Sequence, residues 1–196
     1  MSTQIQAEHF TQALYALLDE TFDNVQGFYS CPEKSFPETF RVFETLKVWR
    51  GKDLPGGLYL DKGTSLFETL ATLTAAEASI PVGGQCATLA AQVKHVAFYL
   101  EVMDNSVRDP NYPKADWGEI WRTVSTVTPT EWEAIRAELR ARYNRILNLI
   151  KDTPAWSSEV EIGDAIAAIA HTAYHLGEIR QALCIIKPVS QPSEVA

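Results

Sequence analysis

Four long segments of this chain carry apolar residues at the spacing of an amphipathic helix, and this periodicity restricts the fold more than any other feature. The segments cover residues 3–25, 85–107, 129–151 and 161–186. Patterns of strand and helix do not alternate, so we do not expect a parallel sheet. We predict an all-α fold in which four antiparallel helices form a bundle with one long crossover. The apolar stripe of the third segment consists of Trp132, Ile135, Leu139, Tyr143, Ile146 and Ile150.

The connection between the first and second helices spans roughly sixty residues, which is too long for a connection without structure of its own. Two stretches in it, SLFE at 65–68 and TAAE at 74–77, match the capping-box pattern, so we expect short helices there. The apolar-rich stretch 36–49 fits a helix or a strand. The third helix has its own start signal, since Thr128 can cap it and Glu131 can close a capping box. We treat residues 1–196 as one domain.

The charge balance argues against nucleic-acid and membrane partners. The formal net charge is -8, and a nucleic-acid-binding protein needs a basic stripe. No apolar run approaches the length of a membrane span. The arginines at 136, 140, 142 and 145 are interleaved with glutamates, which indicates a solvated helix face with ion pairs at helical spacing.

The cysteines indicate a reducing compartment. Cys31, Cys86 and Cys184 are odd in number and form no CxxC motif, and the N-terminal sequence has no signal-peptide pattern. We therefore expect a cytoplasmic protein. Cys86 is interpreted as a small buried thiol.

Three of the four histidines fall where they can meet. His171 and His175 are four residues apart, and this spacing places them one turn apart on one helix face. His95 is on the inward face of the second helix, opposite Lys94, Glu101 and Asp104. A third imidazole from a facing helix would complete a three-nitrogen site with an open coordination position. The spacing alone also fits exposed or satisfied core histidines. We expect the remaining histidine, His9, at the surface.

The face of the fourth helix that carries the histidines also carries a carboxylate and small residues. Glu178 lies one turn beyond His175, and Ala168 and Ala182 leave room for a ligand. Glu178 is a candidate for orienting a ligating imidazole or moving protons; the alternative is a solvated carboxylate bonded to Gln181.

Three neutral imidazoles leave a divalent ion its full charge, so the ion lowers the pKa of a bound water. Zn, Ni, Fe(II) and Cu all accept such ligands. We expect metal affinity to fall below about pH 6.5, because ligating histidines must be deprotonated.

The opposite face of the fourth helix is also apolar, which predicts burial on two sides. Its residues are Ile162, Ile166, Ile169, Ala173 and Leu176. We expect a homodimer to cover this face, with the long connection as the alternative. HExxH, paired Glu-x-x-His motifs and a P-loop are absent. Trp117 and Trp121, at helical spacing, are interpreted as packing residues.

This pattern resembles the DinB-like superfamily of metal-binding four-helix-bundle proteins. The match consists of His95 in KHVAFYL and the stretch HTAYHLGEIRQ at 171–181, with softer similarity over residues 64–186. The resemblance implies a three-histidine divalent-metal site and, commonly, a homodimer. Characterised members include thiol-dependent transferases and isomerases, such as mycothiol-dependent maleylpyruvate isomerase and bacillithiol transferases. In those, a metal is thought to activate a low-molecular-weight thiol.

Two functional hypotheses follow. The first is a metalloenzyme that activates a small thiol or water, as a thiol S-transferase or a hydrolase-like enzyme acting on a small-molecule substrate. Its metal ligands would be His95, His171 and His175, and Glu178 would orient a ligand or shuttle protons. The second is a non-catalytic, stress-linked dimeric binding module in which the metal is structural.

Overall fold

The described part of the chain is helical. The computed structural model describes residues 2–23, 59–84, 86–153 and 155–187. This part contains no strand, only an isolated bridge between Pro81 and Thr88, which agrees with the predicted all-α class. The helices are α1 (Ser2–Phe22), α2 (Leu66–Ala71), α3 (Ala75–Ala78), α4 (Leu89–Arg108), α5 (Glu119–Thr123), α6 (Pro129–Asp152) and α7 (Glu159–Ile186). The stretch 36–49 and Cys31 lie outside the described residues.

Capping residues set where most of these helices begin. Both predicted short helices, α2 and α3, start with a capping box, and so does α6, where Glu131 accepts hydrogen bonds from the backbone and side chain of Thr128 at 2.7 and 2.8 Å. Helix α4 begins at Leu89 and not near residue 85, because the Thr88 hydroxyl accepts a hydrogen bond from the amide of Ala91. Helix α1 ends at Phe22, three residues earlier than predicted.

The four long helices surround one hydrophobic core. Helix α4 packs against α6 and α7, and α1 packs against the same two helices. Tyr143 of α6 stacks on Phe22 of α1 with ring centroids 4.7 Å apart, and the indole N–H of Trp132 donates to the carbonyl of Leu73. Burying a large apolar side chain contributes about 1.5–3 kcal/mol, so the stripe of α6 is a major source of stability. All six predicted stripe residues are buried: Trp132, Ile135, Leu139, Tyr143, Ile146 and Ile150.

The arginine-rich face of α6 is partly solvated, as the sequence indicated, because Arg140 and Arg145 are exposed, but most of its ion pairs reach other helices. Three ion pairs join it to α4: Glu138 with Lys94 at 2.5 Å, Arg142 with Glu101 at 2.9 Å, and Arg145 with Asp104 at 2.5 Å. Asp104 is buried and also pairs with Arg108. Among the described ion pairs, only that of Arg136 with Glu133 joins two residues of α6 at the expected helical spacing. The charges therefore form a charged interface between α4 and α6. Helical spacing could not show this, because it gives no information about neighbouring helices.

The second apolar face of α7 is only partly covered by the described residues. Leu176 is buried and Ile169 packs against the core, but Ile166 is 48% exposed. No helix in the described ranges is both long enough and apolar enough to cross a membrane.

Candidate metal centre

The structure brings His95, His171 and His175 together where α4 packs against α7. One ring nitrogen from each residue lies within 4.8 Å of the others. The ring centroids are 5.1 Å apart for His95 and His171, 5.0 Å for His95 and His175, and 4.5 Å for His171 and His175. Around a tetrahedral zinc ion, ligand nitrogens lie roughly 3.3 Å apart, given Zn–N distances of about 2.0–2.1 Å. Binding such an ion therefore requires the three side chains to move closer together.

The sequence of α7 explains how two of these side chains face α4. His171 and His175 are one turn apart on the helix, and the buried Ala168 lies beneath them on the same side. The hydroxyl of Thr172 donates a hydrogen bond to the carbonyl of Ala168 in the same helix, at 2.8 Å. Because Ala168 and Ala182 are small, α4 can approach closely, and His95 enters the space between the helices.

Burial keeps the three imidazoles neutral. Loss of solvation, together with the neighbouring histidines, lowers the pKa of His95 and of His171 to about 4. Burial also lowers the pKa of His175, although the carboxylate of Glu178 acts in the opposite direction. Neutral imidazole is the form that binds metal. The loss of metal affinity that the sequence placed below about pH 6.5 is therefore expected at lower pH.

The buried nitrogens of this cluster have no hydrogen-bond partner in the described part of the chain. They are Nδ1 of His95, Nε2 of His171 and Nδ1 of His175. More than nine in ten buried polar groups of native proteins are paired, so unpaired nitrogens gathered in one place call for an explanation. A divalent ion would supply the missing partner of His95 and of His171, and it would bind His175 through Nε2, because Nδ1 of His175 lies beside Glu178. The donor set of three imidazoles fits zinc, nickel or iron.

Glu178 lies against one of the histidines. Its Oε2 is 2.8 Å from Nδ1 of His175, but the ring N–H does not point along that line, so the two groups are in contact without an aligned hydrogen bond. The hydroxyl of Tyr174 also bonds to Glu178, and this bond raises the pKa of Tyr174. The carboxylate thus contacts a candidate ligand, as its predicted orienting role requires, and is not merely solvated.

An aromatic cluster packs on the same histidines. The ring of Trp121 lies 4.6 Å from that of His95, and Trp117 makes a more distant edge contact at 6.3 Å. Tyr99 stacks on His171 with centroids 3.8 Å apart. Trp117 and Trp121 make packing contacts, as interpreted from the sequence, but they are 42% and 41% exposed and so are not core residues. That they pack on His95 itself was not predicted, because it depends on where α5 lies against α4.

A groove of about 570 Å³ lies beside the cluster, between α7 and the residues around the start of α4. Its lining includes Val82, Cys86, Gln92, Tyr174, Glu178 and Gln181. Cys86 is exposed, so its prediction as a buried thiol was wrong; the residue precedes the capped start of α4 and is not inside the helix. Gln92 was missed, although it lies three residues before His95 and therefore on the same helix face.

Comparison of the chain with models of known protein families, with curated proteins and with solved structures gives no match. The resemblance to the DinB-like superfamily therefore stays an expectation from the sequence. The geometry of the histidines is independent of that resemblance, because it comes from the packing of α4 against α7.

Proposed function

We propose that this protein is a divalent-metal-dependent enzyme that activates a small thiol or water at His95, His171 and His175. In this proposal it acts on a small-molecule substrate in the cytoplasm, as a thiol S-transferase or a hydrolase-like enzyme, and is a homodimeric four-helix bundle of the DinB-like superfamily. One observation carries the proposal. Three neutral imidazoles converge from two helices, and each has a buried nitrogen that makes no aligned hydrogen bond in the described ranges.

The chemistry of the proposal follows from the donor set. When a divalent ion is bound by three neutral imidazoles it keeps its full charge, and it lowers the pKa of a coordinated thiol or water. The chain itself contributes buried ligands and keeps them neutral. His95 and His175 are more than nine-tenths buried, which limits competing water, and the low pKa values keep the ligand nitrogens free of protons at neutral pH.

Glu178 has a role in this proposal as a positioning residue and as a site for a proton. A carboxylate beside the second nitrogen of a ligating imidazole fixes its tautomer and orientation. Glu178 is in position for this role beside His175. Its side chain is 36% exposed, so it can also exchange a proton with a molecule in the groove. Such carboxylates typically affect metal affinity or activity by about 10–100-fold when they are replaced.

Metal analysis tests the ligand assignment. Protein purified without chelators or affinity-tag metal is compared with His171→Ala and with His9→Ala, which replaces an exposed histidine outside the cluster. We expect about one ion per chain in the natural protein and in His9→Ala, and a loss of the ion in His171→Ala. Equal metal content in all three proteins would refute the assignment.

A second function, a non-catalytic dimeric binding module with a structural metal, is favoured by a different observation. Helix α7 exposes large apolar side chains at Val160, Ile166 and Ile185, which are 70%, 48% and 59% exposed. Of these, Ile166 belongs to the second apolar face of the helix, on which Ile162, Ile169 and Ala173 are also only partly buried, and an apolar face left partly exposed is typical of an interaction site. Thermal melting with and without a chelator separates the two functions: a large loss of melting temperature without thiol chemistry supports the structural ion. A small loss with measurable thiol transfer supports the enzyme.

A further inference from the structure

The groove beside the histidines carries hydrogen-bond acceptors and a negative charge, and we propose that it binds the protonated amine of the substrate. This inference rests on the metal-dependent function proposed above and narrows its substrate class. The substrate would be a compact molecule with a metal-binding group at one end and a primary ammonium group at the other. The specificity-determining residues would be Gln92 and Glu178.

Gln92 supplies the first part of the argument. Its Oε1 is buried and accepts no hydrogen bond from any described residue, and the residue lines the groove, so a rotation of the side-chain amide would present this oxygen to a donor there. Gln92 lies one turn before His95 on α4, so this acceptor is on the same side of the helix as the proposed ligands. An ammonium group offers three N–H donors and no acceptor, which matches an unpaired carbonyl oxygen.

The charge of the groove supplies the second part. Glu178 is the one charged residue among the described residues that line it, and no lysine or arginine is among them. A carboxylate in a partly enclosed groove attracts a cation and repels an anion. A carboxylate accepts up to about four hydrogen bonds, so its contacts with His175 and Tyr174 leave it able to accept one from an amine.

The position of the groove supplies the third part. Glu178 contacts His175 directly, and Gln92 is on the same face of α4 as His95, so the acceptors adjoin the proposed metal centre. A volume of about 570 Å³ lies within the range of small-molecule sites. A short molecule can therefore reach the ion with one end while its ammonium group lies between Gln92 and Glu178.

Thiol titration of the cobalt-loaded protein tests the inference. Cysteamine and 2-mercaptoethanol have the same length and differ at one end, ammonium in the first and hydroxyl in the second. Thiolate binding to cobalt is followed by near-ultraviolet absorbance, and the measured quantity is the ratio of the two affinities. Because the two thiols also differ in acidity, the change of this ratio between variants, and not its value, reports on the groove.

Two substitutions at one position should move the ratio in opposite directions. Gln92→Met keeps the size of the side chain and removes the acceptor, so we expect the preference for cysteamine to fall about tenfold, the effect of one hydrogen bond to a charged group. Gln92→Glu adds a negative charge, so the preference should rise. Gln12→Met, on the exposed surface of α1, is the matched control and should leave the ratio unchanged.

A pair of glycines on α7 tests whether ligands occupy the groove. Gly177 lines the groove and Gly163 does not, and at both positions an added Cβ would meet no atom within 4 Å. Both glycines can therefore accept a Cβ atom without a clash, so each is a reasonable position for a larger side chain. Gly177→Leu should weaken cysteamine binding at least about tenfold, because its side chain fills the space the ligand needs, and Gly163→Leu should leave it unchanged.

The outcomes distinguish this inference from the function on which it rests. A chain that binds no cobalt at the histidines overturns the metal-dependent function and this inference with it. A chain that binds cobalt and thiols, but whose affinity ratio is the same in Gln92→Met and Gln92→Glu as in the natural protein, overturns the inference alone. Weaker binding of cysteamine in Gly163→Leu to the same extent as in Gly177→Leu also overturns it.

Discussion

Helix α4 meets its two neighbours through polar side chains, and the two contacts differ in how those side chains are satisfied. Toward α6, each charge of α4 faces an opposite charge, as in the pair of Asp104 and Arg145. Toward α7, His95 faces two other neutral histidines, and Nδ1 of His95 and Nε2 of His171 have neither a hydrogen bond nor an ion-pair partner among the described residues. Oδ2 of Asp104 and Nδ1 of His175 also make no aligned hydrogen bond, but each lies beside a charged group, at 2.5 and 2.8 Å. Polar contact between helices is therefore not by itself a sign of function. Buried polar groups that lack a partner are a sign of function, because stability alone does not favour them.

The largest effect on stability is expected in the charged interface, at Asp104. Its side chain is 1% exposed and pairs with Arg108 and Arg145, which are 55% and 46% exposed and so remain partly solvated. Asp104→Ala should lower the free energy of unfolding by about 3 kcal/mol, the lower end for breaking a buried ion pair. Urea unfolding measures it, with Glu133→Ala as the control for an exposed pair. A loss below about 1 kcal/mol would show that this pair is dispensable, and metal content should not change.

Lowering the pH should change the stability of the contact between α4 and α7, where the histidines lie. Because the folded protein holds the pKa of His95 and His171 near 4 while the unfolded chain has about 6.5, the unfolded state binds more protons between these values. Stability of the metal-free protein should therefore fall as the pH drops from about 6.5 toward 4, by on the order of 2 kcal/mol for each of these two histidines between pH 7 and 5. Unfolding curves at each pH measure this fall. His95→Leu should flatten it, and an unchanged slope in that variant would contradict the assignment.

Replacing one of the unsatisfied histidines should cost little without metal. His95→Leu removes a buried nitrogen that has no hydrogen-bond partner in the described ranges, so the metal-free protein should change in stability by less than about 1 kcal/mol. The stabilisation by added zinc should disappear in the same variant, because a ligand is lost. Thermal melting with and without zinc measures both quantities. A large loss of stability in the metal-free state would assign His95 to the core and not to a metal.

The smallest effect is expected at the exposed end of the charged interface. Lys94 and Glu138 are each 27% exposed, so Lys94→Met should cost no more than about 1 kcal/mol. The effect should shrink further in high salt, which screens a partly solvated pair more than a buried one. Comparison with Asp104→Ala under the same salt conditions shows whether burial sets the strength of these pairs.

Much of the local structure could be predicted from the sequence, because it depends on neighbouring residues. The stripe of α6 and the capping boxes at Ser65, Thr74 and Thr128 were predicted and are present. The start of α4 was placed too early, since the cap at Thr88 was overlooked, and the same error put Cys86 inside a helix. The pairing of α6 arginines with α4 could not be predicted, because it requires knowing which helices are adjacent.

The sequence by itself determined which side chains share a face of one helix: His171, His175 and Glu178 on α7, and His95 on the inner side of α4. Helical geometry fixes this at 100° per residue, whatever surrounds the helix. Only the tertiary structure decided that the two faces meet, that Trp121 lies on His95 and that Gln92 lines a groove beside them. These features depend on how one helix is rotated and shifted against another, and that is set by packing across the whole core.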